Sequence, residues 1–150
     1  MLTLLKINNL ALIEEVVWEM GSELIGITGE TGSGKSMVIG AIKLIVGQRA
    51  DTELIRTGEN TCIVEAIFDL KDCREINSIL EESGLDPCSE NQLVIRRVLD
   101  RKATNKQFIN CSPVTLNTLK KVGKLLVDLH GPHDHHSLFS SERQLSLLDA

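Results

Sequence analysis

Long apolar runs are missing from this 150-residue chain, and several function classes leave with them. Its apolar stretches are short and interrupted, so none reaches the length a membrane-crossing helix needs. The N-terminal segment alternates in character and carries acids by Glu14, which is not the pattern expected of a secretory signal. An excess of positive charge is also missing. Sixteen lysines and arginines face 21 acids, a net charge of −5, so any nucleic-acid contact must be local or made elsewhere. Aromatic residues make up 3% of the chain, with no tyrosine and one tryptophan. Cys62, Cys73, Cys88 and Cys111 lie 11, 15 and 23 positions apart and form no C-x-x-C pair. That spacing reads as reduced cytosolic thiols rather than a zinc ribbon or a disulfide framework. No internal repeat, low-complexity tract or linker is evident. What remains is the length and composition of one soluble α/β domain with a real core.

The stretch Gly26-Ile27-Thr28-Gly29-Glu30-Thr31-Gly32-Ser33-Gly34-Lys35-Ser36 organises the rest. From Gly29 to Ser36 it fits the P-loop pattern G-x-x-x-x-G-K-[ST]. Leu24 to Ile27 leads in like a buried strand. Met37, Val38, Ile39, Ala41, Ile42, Leu44, Ile45 and Val46 lead out as the apolar stripe of a helix. Glycines at 29, 32 and 34 let the backbone turn and aim successive N–H groups at an anion. The following helix adds its positive dipole end. Gly29, Glu30, Thr31, Gly32, Ser33 and Gly34 would therefore cradle the phosphates of ATP. Lys35 would reach the β- and γ-phosphates, and the Ser36 hydroxyl would ligate Mg²⁺.

The remaining elements follow in order. Alternation over residues 2–7 and 15–19 predicts two antiparallel strands, with Asn8 and Asn9 near a turn or bulge, packed beside a P-loop strand at 23–28. The P-loop helix is expected from about Gly34 to Val46, stopped by Gly47. A polar stretch, 48–61, carries Arg49 and Arg56. Residues 62–69 read as a strand, and Asp72 with Glu75 as a capping box for a helix over 75–83, ended by Gly84. Residues 93–99 and 106–109 read as strands joined by a polar hairpin connection, with Asn110 to Pro113 a further turn. Thr115 caps a helix to about Val122. Residues 124–129 read as a buried strand, and Ser141 with Gln144 opens a last helix. The sum is a mixed sheet rather than a clean series of strand–helix–strand units.

Other residues leave alternatives open at this stage. Leu125-Leu126-Val127-Asp128 has the outline of a Walker B strand, which would make Asp128 a Mg²⁺ ligand in a self-sufficient small P-loop kinase or NTPase. The next residue is Leu129, so a catalytic Glu does not follow. A third reading is a nucleotide-gated interaction module without catalysis. All four histidines fall in His130-Gly131-Pro132-His133-Asp134-His135-His136. Imidazoles suit Zn²⁺ or Ni²⁺, but ligands this close together do not build a closed structural site. The same loop would approach the γ-phosphate and its water, or be a solvated turn. Arg49 and Arg56 are candidates for phosphate or DNA-backbone contact, or solvated loop cations. Arg96, Arg97, Arg101, Lys102 and Lys106 make a basic hairpin, either a DNA-backbone patch or a solvated face.

The run Leu4…Ile7-Asn8-Asn9-Leu10, the P-loop phrase and Gly47-Gln48-Arg49-Ala50 together resemble the N-terminal head segment of the RecN family, SMC-like bacterial DNA-repair ATPases. Ile55-Arg56-Thr57-Gly58, Arg96-Arg97-Val98, Phe108-Ile109-Asn110 with Pro113-Val114, and His130-Gly131…His133 extend the resemblance along the whole chain in order. Pro132, His136 and Cys111 depart from it, standing where the family usually has Gln, Gln and Gly. The resemblance implies an ABC-type head split in sequence, of which residues 1–150 are the N-terminal lobe with a mixed sheet and an antiparallel β subdomain. It implies ATP hydrolysis coupled to head engagement, DNA binding and double-strand break repair in the cytoplasm, at the nucleoid. Its partners would be the C-terminal lobe of the same head, a second head and DNA, with no membrane. It favours Arg56 and His133 as residues near the reacting phosphate.

Overall fold

The computed structural model describes residues 1–21, 34–102 and 104–127. Within them lie six strands and three helices: β1 Leu2–Leu10, β2 Ile13–Glu19, α1 Lys35–Ile45, β3 Thr61–Asp69, α2 Arg74–Glu82, β4 Gln92–Asp100, β5 Asn105–Ile109, β6 Ser112–Pro113 and α3 Leu116–Leu126. The strands form one sheet in the order β2-β1-β3-β4-β5-β6. Every pairing among the described residues is antiparallel. That is the antiparallel β subdomain expected from the alternation of residues. The strand expected at 23–28, with the glycines that follow it, lies outside the described residues.

Period-two patterning decides which side of the sheet is buried. Leu5 and Ile7 of β1 face Ala66 and Val64 of β3, which face Ile95 and Arg97 of β4. With Cys62, Phe68, Leu93, Leu99 and Ile109 these side chains form the core face. Three helices supply the other half of that core. Ala41, Leu44 and Ile45 come from α1, Ile76 and Leu80 from α2, and Leu119 and Val122 from α3. The opposite face carries charged groups beside apolar ones, as in the row Lys6, Glu65, Arg96 and Phe108.

Arg97 breaks the apolar pattern. It sits between Ile95 and Leu99 on the core face and is 1% exposed. Its guanidinium donates to the Leu44 carbonyl at 2.9 Å and to the Gln48 carbonyl at 2.5 Å. These carbonyls lie in the last turn of α1 and just past it, where the dipole is negative; the Leu44 carbonyl also accepts the Gly47 N–H at 3.1 Å. Burial pushes the pKa of Arg97 down from its ordinary value. Its Nε has no hydrogen-bond partner, and neither does Oε1 of Gln107, the residue directly across on β5. The expected basic hairpin therefore loses Arg97, which is an internal strut.

Other expectations need correction too. Residues 124–126 are the last turn of α3, not a strand, and the extended conformation begins only at Val127. The Thr115 hydroxyl accepts the Thr118 N–H at 3.2 Å, a sound N-cap, and the apolar stripe Leu119, Val122, Gly123, Leu126 carries the helix to its end. A Walker B strand over 125–128 loses its first two residues this way, while Asp128 lies outside the described residues. The Asp72–Glu75 capping box is not formed. Asp72 instead accepts the Arg74 N–H at 3.0 Å and pairs with the Arg74 guanidinium, which holds its carboxyl down at about 2. Cys73 is the residue at the N-cap, and α2 spans 74–82 rather than 75–83. Asn8 and Asn9 belong to β1, although Asn9 takes a left-handed φ of 55°. Only Asn110 and Cys111 form the predicted 110–113 turn, at φ 47° and 68°, and Ser112–Pro113 pair as β6.

Two glycines let α3 approach the end of α1. A Cβ on Gly123 would stand 2.3 Å from the Val46 carbonyl oxygen, and one on Gly47 would stand 2.8 Å from Lys120 Cγ. Gly47 also has φ 94°, which places it as the C′ residue predicted for α1. Gly123→Ala should therefore cost about 3 kcal/mol in urea unfolding, at the upper end for overpacking because backbone must move. Arg97→Met should cost about 1–3 kcal/mol with an unchanged m-value, since the Gln48 and Leu44 carbonyls lose the Arg97 guanidinium and only Leu44 keeps a backbone donor, the Gly47 N–H. A midpoint equal to that of the parent chain would refute either expectation.

Candidate nucleotide-binding site

Three of the eight P-loop residues fall within the described part: Gly34, Lys35 and Ser36. Gly34 is the N-cap of α1, at φ 99° and ψ −10°. That left-handed conformation costs an L-residue roughly 1–2 kcal/mol, so glycine is needed here for the backbone and not for space. From Gly34 the chain turns directly into helix. Its carbonyl accepts the N–H groups of Met37 and Val38, both at 3.1 Å. No side chain caps this helix, and no acid stands in its first turn. A helix start of that kind offers N–H groups and the positive dipole end to an anion, with no carboxylate in its own first turn. Lys35 is half-buried and Ser36 exposed. Helix α1 is anchored on β1, β3 and β4 by Ala41, Leu44 and Ile45, and at its far end by Arg97.

Gly29, Glu30, Thr31, Gly32 and Ser33 lie outside the described residues. So do Asp128, Pro132, His133 and the other histidines, and the last predicted helix. The site expectations that can be placed are the end of the P-loop and the two arginines of the 48–60 loop. Arg49 is exposed. Arg56 is tied down. Its backbone N–H donates to the Asn9 carbonyl at 2.9 Å, and its guanidinium donates to the Leu12 carbonyl at 2.9 Å, in the β1–β2 turn.

A partner that the residue pattern did not reveal is Arg101. Its guanidinium donates to the Arg56 carbonyl at 3.0 Å and to the Glu59 carbonyl, while its N–H meets the Asn60 carbonyl at 3.0 Å. Two arginines from β4 and the turn after it thus hold both ends of the loop that joins α1 to β3: Arg97 at Gln48 and Arg101 at Arg56. The signal for Arg97 was present in its position between Ile95 and Leu99, where alternation puts a side chain inward. Nothing local marked Arg101, because its acceptors are carbonyls some forty residues away.

A cleft of about 310 Å³ is lined by Leu80, Leu85, Pro87, Glu90, Asn110 and Cys111 among others. It shares no residue with the P-loop pattern. No group of three or more potential metal ligands gathers among the described residues.

Arg101→Ala should speed hydrogen exchange at the Arg56 amide by roughly tenfold, because the loop loses two acceptor contacts. Exchange at core amides of β3 should not change. Equal protection of Arg56 in both chains would show that Arg101 does not hold the loop.

Comparison with known proteins agrees with this arrangement. A family profile described as "AAA domain" matches residues 4–143. The chain is 40% identical over 149 residues to the DNA repair protein RecN of Vibrio cholerae, and 38% identical over 149 residues to that of Bacillus subtilis. Each alignment covers 99% of this chain and 26% of the relative, so the chain spans about a quarter of the length of these proteins. Among solved structures, the Smc head domain of Pyrococcus furiosus, bound to the C-terminal domain of ScpA, superposes with a TM-score of 0.69 at 18% identity. That superposition covers 99% of this chain and 41% of the other. The fold is that of an ABC/SMC-type P-loop head, and the chain belongs to the AAA domain family, with RecN proteins among its relatives.

Proposed function

We propose that this chain is the N-terminal, ATP-binding lobe of an SMC-like ATPase that acts in repair and recombination of DNA double-strand breaks. The observation that carries the reading is the start of α1. A left-handed glycine leads into Lys35 and Ser36 with neither a capping side chain nor a first-turn acid, at the end of a complete P-loop pattern.

In this reading the backbone N–H groups of residues 29–34 and the N-terminus of α1 bind the phosphates of ATP. Lys35 neutralises the β- and γ-phosphates, and the Ser36 hydroxyl ligates Mg²⁺. The uncapped helix start and the conformation of Gly34 fit that ligand. Mg²⁺ held there would supply positive charge to offset what develops on the phosphate during phosphoryl transfer to water. Arg56, held by Leu12 and Arg101, and His133 are the groups of this chain assigned to the reacting phosphate. Carboxylates that activate water come from a C-terminal lobe, and a second head completes the sandwich. ATP-driven head engagement then couples to DNA binding. The RecN relatives, described as DNA repair proteins, support the process, and the site would work in the cytoplasm at the nucleoid. No helix among the described residues is long and apolar enough to cross a membrane.

The test is ATP turnover by the chain alone and then mixed with its C-terminal lobe, with and without DNA. Expected are weak nucleotide binding by the chain alone, lost in Lys35→Ala, and turnover only after mixing. Turnover by the isolated chain, abolished by Asp128→Asn, would overturn the split-head reading in favour of a self-sufficient enzyme. ATP-dependent assembly without turnover in any mixture would leave a nucleotide-gated interaction module instead.

A further inference from the structure

Positive charge is unevenly spread along this chain. Across residues 101–127 stand six lysines and arginines with no aspartate or glutamate, in a chain whose net charge is −5. The structure sorts these cations into separate places. Arg101 is committed to the carbonyls of Arg56 and Glu59. Lys102 and Lys106 belong to the hairpin of β4 and β5, which has already lost Arg97 to the core. Lys120, Lys121 and Lys124 are exposed on α3, and none of them forms an ion pair among the described residues.

Helical spacing puts the three lysines on one face. Residues three and four apart are neighbours on a helix, so Lys124 stands beside both Lys120 and Lys121. Like charges at that spacing cost a helix about 0.2–0.5 kcal/mol per pair. The negative dipole end offsets this only for Lys124, in the last turn of α3. The other two lie near the middle of the helix, and α3 contains no acid to relieve them.

Beside this face lies a cleft of about 260 Å³, lined by Gly47, Gln48, Gly123, Lys120 and Lys124 among others. The C-terminal end of α1 would by itself repel an anion there. Arg97 counters that end: its guanidinium sits on the Leu44 and Gln48 carbonyls, behind the wall that Gln48 forms. It has no carboxylate partner among the described residues, and a buried charge is screened by salt less than a surface one. Two lysines thus line the cleft, a guanidinium lies behind it, and Arg49 is exposed two residues beyond Gly47.

We propose that the lysine face of α3 and this cleft form a docking surface for the phosphodiester backbone of duplex DNA, with Lys120, Lys121 and Lys124 meeting phosphates. Such contacts position a duplex and read no base. An anionic lipid surface offers similar charge, but helices that lie on a bilayer bury an apolar face in it. The apolar stripe of α3 is spent in the core through Leu119 and Val122, which leaves Leu125 as its one exposed large apolar side chain. The choice of DNA as the polyanion rests on the function proposed above, whereas the charge and the cleft do not depend on it.

The test is fluorescence anisotropy of the full chain with a labelled DNA duplex, without nucleotide, between about 50 and 200 mM salt. Lys120→Gln combined with Lys124→Gln removes two charges and keeps the stem that packs on Gly47. Expected is an affinity about tenfold lower at the low-salt end and a salt slope shallower by about two. Circular dichroism checks that this variant folds, and it should bind ATP as the parent chain does. Lys35→Ala should bind the duplex as the parent does. Absence of ATP binding by the parent chain would count against the ATPase reading alone, because the DNA measurement uses no nucleotide. Undiminished DNA binding by the α3 variant would overturn the proposal. So would loss of binding in Lys102→Gln with Lys106→Gln instead, or no binding by the parent chain at low salt. Tighter association with vesicles of equal phosphatidylserine and phosphatidylcholine than with the duplex would overturn it in favour of a membrane surface.

Discussion

A charged side chain in the middle of the core holds this molecule's two working parts together. Arg97 projects from β4 among Ile95, Leu99 and Val64, and it ends on carbonyls at the close of α1. An arginine in that position is costly to desolvate, and its lowered pKa reflects that cost. The carbonyls it meets lie at and just past the negative end of the helix dipole, so the Nη1 donor that reaches both offsets part of that cost, while Nε stays without a partner. The consequence is mechanical. The helix that opens at the end of the P-loop pattern is fixed to the sheet at its opposite end. Residues that leave the helix there, from Gln48 onward, start from a defined point. Arg101 fixes the same loop at Arg56, and the loop between the two anchors cannot drift as a unit.

Packing around α1 follows from that anchor. Once its C-terminal end is seated, α3 can approach only where no side chain intervenes, and Gly47 and Gly123 supply the clearance. Helix α3 in turn reaches β5, while α2 meets α3. The core face is thereby closed by three helices of no more than 11 residues each. None of them is long enough to be stable in water by itself, so each owes its helicity to the sheet it covers.

Much of this was legible in the residues. Apolar-rich runs over 62–69 and 93–99 marked two strands, and both are present within a residue of the expected bounds, each buried on one face. The P-loop phrase marked the start of α1, Gly47 its end, and Thr115 the start of α3. The errors share a cause. Residues 124–127 are too short an apolar run for periodicity to separate strand from helix end, and the helix won because its cap and stripe were already in register. Asp72 preferred the arginine two positions on, an ion pair that a capping rule does not foresee. Arg97 was grouped with its neighbours by charge when its strand position was the better guide. Contacts to distant backbone carbonyls, such as those of Arg101, leave no pattern in the chain at all.

The strand order also sets a sequence of events in time. Strands β3, β4, β5 and β6 are consecutive neighbours, each able to pair as soon as the next has been made. The β1–β2 hairpin is equally local, but it joins the sheet only through β1 and β3, where Ile7 meets Val64, 57 positions further along the chain. At ribosomal rates of roughly 5–20 residues per second, that hairpin waits several seconds for its partner to emerge. Closing so long a loop adds an entropic barrier that the local pairings do not have. For that interval the apolar face of β1, with Leu5, Ile7 and Leu10, has no core to enter. The nascent chain is most exposed to wrong pairing while the P-loop itself is being synthesised.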